Sequence, residues 1–194
     1  MIIPSCLRIE PGDVIAVHRR WRGWLPEFGS YLSYAISAKI QRDTGSPINH
    51  VALALTPKLG VEAQMDGIQT VQLAKYFDDQ KYGVAILRYT GAAFDERMAV
   101  ARWAAEQEGE AYDLRLIVKI KLTLLMSGIC GMELMIKLPD YDNVWICSEL
   151  VQAAYRSQGI DLSPGLMFPG DFYRNPHFKT IYEQAIPGAA PQRG

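Results

Sequence analysis

Five residues, Thr56-Pro57-Lys58-Leu59-Gly60, separate two runs rich in β-forming side chains, residues 48–55 and 61–65. A Pro/Gly connection this short joins neighbouring antiparallel strands and leaves no length for a crossover helix. An antiparallel hairpin therefore anchors any fold the chain can adopt. Further strands are expected at Val14-Ile15-Ala16-Val17, after the turn Pro11-Gly12-Asp13, and at Val84-Ala85-Ile86-Leu87-Arg88-Tyr89, with residues 67–71 extending the sheet. Helical spacing appears over residues 27–42, through Phe28, Tyr31, Leu32, Ala35, Ile36 and Ile40, and ends at Gly45-Ser46-Pro47. A second helix is expected over 95–108, with an acidic start and a stripe through Met98, Ala101, the alkyl stem of Arg102 and Ala105. A third starts at Cys147 and runs to Gly159 at its C′ position, and residues 165–176 are rich in turn formers. Helices and antiparallel strands mix without βαβ alternation, which predicts an α+β domain with an antiparallel sheet or small barrel packed against helices.

With 49% apolar and 21% charged residues in 194, one globular domain spanning 1–194 is expected. Its tail, 187–194, reads as frayed. A formal net charge of -1 gives no reason to expect nucleic acid as a partner. The local run Arg19, Arg20 and Arg22, with Trp21 and Trp24 interleaved, reads as a snorkelling surface. Cys6, Cys130 and Cys147 are odd in number and lack the spacing of a disulfide framework or zinc site. Pro4, Arg8 and Glu10 interrupt what would be the apolar part of a signal peptide, so a cytoplasmic location is expected. The most apolar region, 114–138, reads as a helical insertion. Its charge-free stretch between Lys121 and Glu133 is only eleven residues, too short to span a bilayer, which leaves buried helices or peripheral contact with a membrane or lipid.

Chemistry enters at Val144-Trp145-Ile146-Cys147-Ser148-Glu149-Leu150-Val151, where an apolar segment becomes a helix with a thiol at its start. Unpaired N–H groups and the positive end of the helix dipole favour a thiolate there, and the thiolate is the nucleophile. The same pattern suits a buried structural thiol, because Cys147, Leu150, Val151, Ala154 and Tyr155 share one helical face. A nucleophilic cysteine needs a base, for which histidine is best matched near neutral pH. Of His18, His50 and His177, only His50 opens an apolar strand, with Glu62, Gln64 and Asp66 alternating downstream as groups able to orient its ring. A tight hairpin through Pro57-Lys58-Leu59-Gly60 would set Glu62 nearer Ala54 and leave Gln64 or Asp66 closer to His50, unless stagger or a bulge intervenes.

Three motifs carry a resemblance to a known family. Cys147-Ser148-Glu149-Leu150-Val151 with Gly159-Ile160-Asp161-Leu162, Gly109-Glu110-Ala111-Tyr112, and His50-Val51 followed by Glu62-Ala63 together resemble the NlpC/P60 superfamily of papain-like cysteine peptidases. Ala111 departs from the proline usual in the second motif. The histidine precedes the cysteine here, which resembles the circularly permuted, YiiX- or YaeF-like branch. Geometry rather than chain order defines such a site. The lecithin:retinol acyltransferase-like proteins share the permuted layout, but Ile146-Cys147-Ser148-Glu149 does not reproduce their Asn-Cys-Glu-His hallmark.

The resemblance implies a papain-like fold and a cysteine hydrolase acting on an amide bond through an acyl-enzyme. In it Cys147 is the nucleophile, His50 the base, Glu62 the orienting residue and Tyr112 an oxyanion or substrate-positioning group. It requires no metal or organic cofactor. Peptides, peptidoglycan fragments and acyl lipids are the implied substrate classes. A lipid acyl hydrolase or acyltransferase, or a non-catalytic binding module on the same fold, are the alternatives.

Overall fold

The computed structural model describes residues 2–19, 45–64, 67–78, 80–109 and 147–187. The expected helix at 27–42, the Arg20–Trp24 run, Asp66, Tyr112, Cys130, the insertion at 114–138 and the tail beyond residue 187 lie outside them.

The hairpin forms as β2 (His50–Ala54) and β3 (Leu59–Gln64). Its turn is closed by Leu55 and Thr56 N–H groups donating to the Leu59 carbonyl, while the Thr56 hydroxyl accepts the Leu59 N–H at 2.9 Å. Around it, β1 (Val14–Arg19), β4 (Gly67–Gln72), β5 (Tyr82–Tyr89) and β6 (Phe178–Gln184) complete a six-stranded sheet in the order β4-β3-β2-β1-β5-β6. Every neighbouring pair is antiparallel. Described elements thus form an α+β domain with an antiparallel sheet.

Period-two alternation splits the sheet residues between two buried layers. Val14, Ala16, Val51, Leu53, Val61, Ala63, Ala85 and Leu87 face one layer. It is covered by α1 (Phe94–Glu106), α2 (Cys147–Arg156) and the short α3 (Pro169–Arg174) through Val100, Ala104, Leu150, Val151, Ala154, Tyr155 and Phe172. On the other face, Ile15, Val17, Ala52, Ala54, Val84 and Ile86 pack against Ile9 and a 3-10 turn, Leu73–Phe77, that supplies Leu73, Tyr76 and Phe77. Full burial of each large apolar side chain contributes roughly 2 kcal/mol, so α2 is held on the sheet mainly by Leu150, Val151 and the ring of Tyr155.

Several sequence expectations shift. The buried stripe of α1 runs through Arg97, Val100, Ala101 and Ala104, whereas Arg102 is exposed. Arg97 fixes that rotation: its guanidinium donates to the Ala92 carbonyl at 2.8 Å and to Glu10 at 2.6 Å, which draws position 97 inward. The turn-rich stretch 165–176 contains α3, with Pro169 in its first turn and the Asp171 carboxylate accepting the Phe168 N–H at 2.8 Å. At the far end of α2 the expected cap is present. Gly159 has φ 75°, its N–H reaches the Arg156 carbonyl, and the Ile160 N–H reaches that of Tyr155, which is a Schellman closure.

The Pro11-Gly12-Asp13 turn is tied in from three sides. Arg88 of β5 grips the fully buried Asp13 carboxylate with two hydrogen bonds of 2.8 Å and also bonds Glu10. Glu10 in turn meets Arg97 of α1. The Tyr155 hydroxyl of α2 donates to the Gly12 carbonyl at 2.7 Å. Gly12 has φ 82°, and a Cβ there would meet the Arg97 carbonyl oxygen at 2.7 Å, so only glycine fits between the turn and α1.

Candidate active site

Cys147 is the first residue of α2 and is partly exposed, while the apolar residues that follow it are buried. Packing of Leu150 and Val151 on the β2 face presents the start of α2 to the start of β2. There the sulfur is in hydrogen-bonding contact with the His50 ring, and the backbone N–H groups of Val51 and Ser148 also reach it. By alternation His50 belongs to the opposite sheet face, with Ala52 and Ala54. It meets the sulfur because it is the end residue of its strand, where the ladder to β3 no longer continues.

The register brings the Glu62 carboxylate within reach of the imidazole. Leu53 pairs with Val61 and Ala54 with Gly60, which sets Glu62 opposite Ala52 rather than Ala54. The turn uses Leu55 and Leu59 as its closing pair, placing the loop earlier in the chain than the expected Pro57–Gly60 turn and moving Glu62 two residues toward His50. From there Glu62 Oε2 accepts a hydrogen bond from His50 Nε2 at 2.7 Å, which leaves Nδ1 as the ring atom facing the sulfur. Gln64 does not bond the ring. Its amide donates to Glu62 Oε1 instead.

Glu62 is fully buried and carries two further donors that the sequence patterns do not reveal. Lys75 Nζ lies 2.5 Å from Oε1, and the Tyr76 hydroxyl donates to Oε2. Both come from the 3-10 turn after β4, a segment with no periodic signal to flag it. The Tyr76 ring lies 6.2 Å from that of His50 and 5.6 Å from that of Tyr82, and Lys75 Nζ sits 4.8 Å over it.

The electrostatics form an alternating row. Burial opposes a charge on His50, but the Cys147 thiolate and then Glu62 prevail and hold its pKa up at about 9. Burial likewise raises Glu62, yet hydrogen bonds and charge from His50, followed by those of Lys75 and Tyr76, hold its carboxyl down at about 2. For Cys147 burial opposes ionisation and His50 with the two backbone N–H groups favours it, with the net direction downward. Burial and the adjacent Glu62 carboxylate push the Tyr76 phenol far above its ordinary range, so it acts as a neutral donor. The arrangement favours a thiolate–imidazolium pair with a permanently ionised carboxylate behind it. The fourth residue expected at the site, Tyr112, lies outside the described residues.

Comparison with known proteins places the fold alone. No family model matches the chain, and no curated protein matches it. Among solved structures it is similar to the crystal structure of the metalloprotein YiiX from Escherichia coli O157:H7, with a TM-score of 0.50 and 18% identity over 92% of this chain and 99% of that one. The fold is therefore YiiX-like. No helix among the described residues is long and apolar enough to cross a membrane.

Proposed function

We propose that the protein is a cysteine hydrolase of papain-like, circularly permuted architecture, with Cys147 as nucleophile, His50 as general base and acid, and Glu62 as the residue that orients His50. The observation that carries the reading is a helix-start sulfur in hydrogen-bonding contact with an imidazole whose other nitrogen is bound, at 2.7 Å, to a buried carboxylate. The Cys147 thiolate attacks a substrate carbonyl carbon, and the negative charge moves to the carbonyl oxygen. As the tetrahedral species collapses, the C–N or C–O bond breaks and the imidazolium of His50 gives its proton to the leaving group, leaving a thioester. Water, deprotonated by His50, then attacks that thioester, releases the carboxylic acid and restores the thiolate–imidazolium pair. The first-turn N–H of Cys147 lacks an intrahelical acceptor and is a donor for the oxyanion, with Tyr112 as a proposed second. A buried Glu62 bound to Nε2 keeps Nδ1 directed at the sulfur and stabilises the imidazolium.

YiiX is described as a metalloprotein, but the described donor set around Glu62 does not suit a resident metal ion. Both oxygens of Glu62 are engaged, and the Lys75 ammonium occupies the place where a cation would bind Oε1. Among the described residues no cluster of three His, Cys, Asp or Glu side chains could hold a metal.

The test is turnover of peptide amides, muropeptides and acyl-lipid esters by the wild type, Cys147→Ser and His50→Gln. Hydrolysis of one class, lost at least a hundredfold in both variants, with an acyl group trapped on Cys147, supports the reading. Wild-type turnover retained by Cys147→Ser would rule it out, as would a Cys147 inert to alkylation.

A further inference from the structure

We propose that Lys75 is a positioning residue of this site: its ammonium closes the row Cys147, His50, Glu62, Lys75, and its charge sets the pH range in which sulfur and imidazole are both ionised. The proposal rests on the cysteine-hydrolase reading. Along that row, Lys75 Nζ is 2.5 Å from Glu62 Oε1 and Glu62 Oε2 is 2.7 Å from His50 Nε2, with the sulfur on the far side of the ring. With thiolate, imidazolium, carboxylate and ammonium all charged, the four groups sum to zero. Removing the ammonium leaves a net negative charge around a carboxylate that water does not reach.

The direction of the effect follows from Coulomb's law. A nearby positive charge eases loss of the proton from Cys147 and also eases its loss from the His50 imidazolium. Without Lys75 both steps need a higher pH, so the two limbs of the ion-pair window move upward together. Loss of Glu62 would instead weaken the imidazolium and draw the His50 limb down. Among the described residues the groups facing the row are His50 from β2, Glu62 and Gln64 from β3, Lys75 and Tyr76 from the 3-10 turn, Cys147 from α2, and Tyr82 of β5 behind Tyr76. Within this set Lys75 is the cation that is not itself a party to the sulfur–imidazole proton exchange. Its side chain is 33% exposed, so water screens part of its field and a shift of about one pH unit, tenfold in each proton equilibrium, is expected rather than several.

The experiment follows alkylation of Cys147 by iodoacetamide against pH, read by mass spectrometry on the peptide carrying it, together with the His50 ring titration by nitrogen NMR. Wild type, Lys75→Met, Lys75→Gln and Lys75→Arg are compared. Lys75→Met is expected to raise both midpoints by about one pH unit, and Lys75→Arg to restore them. Lys75→Gln keeps a donor toward Glu62 without the charge; it should shift as Lys75→Met does, and it stands in for that variant if the latter does not fold. Midpoints unchanged in the uncharged variants, or limbs moving in opposite directions, would overturn the role of Lys75 while leaving the hydrolase reading intact. A wild-type Cys147 with an ordinary thiol midpoint would overturn both.

Discussion

Replacing Glu62 by Gln keeps the side chain's shape and removes its charge, so the pH dependence of the loss isolates what the carboxylate contributes. In the folded protein its pKa falls from an ordinary 4.5 to about 2. At about 1.4 kcal/mol per pH unit, that difference corresponds to roughly 3 kcal/mol of stability at neutral pH. A depressed carboxyl contributes fully above its unfolded value of 4.5, and the contribution disappears as pH falls through about 2. At pH 3 linkage leaves roughly 1.4 kcal/mol, so the gap between wild type and Glu62→Gln should narrow by about 2 kcal/mol between pH 6 and pH 3. In the wild type His50, with folded and unfolded values of about 9 and 6.5, stays largely protonated over that window; in Glu62→Gln the imidazolium is weakened, so its ring is followed by nitrogen NMR and the gap is read over the steps where it stays protonated. Asp13 titrates in both proteins and cancels. Urea denaturation at half-unit steps over that range measures the gap. A difference that stays constant with pH would mean that Glu62 matters through packing alone, and the picture of a charge held by four donors would be wrong.

Arg88→Met removes the guanidinium that grips Asp13 and should cost about 3 kcal/mol in chemical denaturation at pH 7. Burial already lifts the Asp13 pKa despite Arg88, so without that partner the carboxyl takes up a proton more readily and the cost should shrink as pH falls toward 4. An unchanged cost across that range would count against it. Two glycines at positive φ should behave differently. Gly159→Ala, with nothing within 4 Å of the added Cβ, should lose about 1 kcal/mol from backbone strain alone. Gly12→Ala, which drives a Cβ into the backbone of Arg97, should lose about 3 kcal/mol or more; equal losses at the two sites would refute the steric account of Gly12.

Local signals carry much of the architecture, and long-range geometry carries what they miss. The hairpin, β1, β5, α1 and α2 are readable because turn residues punctuate them and their apolar periods are distinct. Period two places Glu62 and Gln64 on one face with His50, and a turn closed at Leu55 and Leu59 brings both near the ring, so composition does not encode which of them bonds it. Lys75 and Tyr76 are invisible to such signals because a 3-10 turn has no face to recognise, and their partner lies thirteen and fourteen residues back on another strand. β6, with its sequence FKTIYEQ, is half-buried along most of its length and alternates weakly, so it offers no clear strand pattern. On α1, helical spacing puts the alkyl stem of Arg102 in the apolar stripe, whereas it is Arg97 that is drawn inward by Glu10, a partner distant in sequence.

The bond from the Tyr155 hydroxyl to the Gly12 carbonyl spans 143 positions, and the sulfur–imidazole contact spans nearly a hundred. During synthesis the central strands β1, β2 and β3 leave the ribosome long before the helix that completes them. A nascent chain ending before residue 147 would hold His50 and Glu62 but not the Cys147 sulfur that meets them, and no Tyr155 to latch the opening turn. Closure of the molecule and arrival of the proposed nucleophile are therefore one late event, and on that reading an unfinished polypeptide carries no primed thiolate.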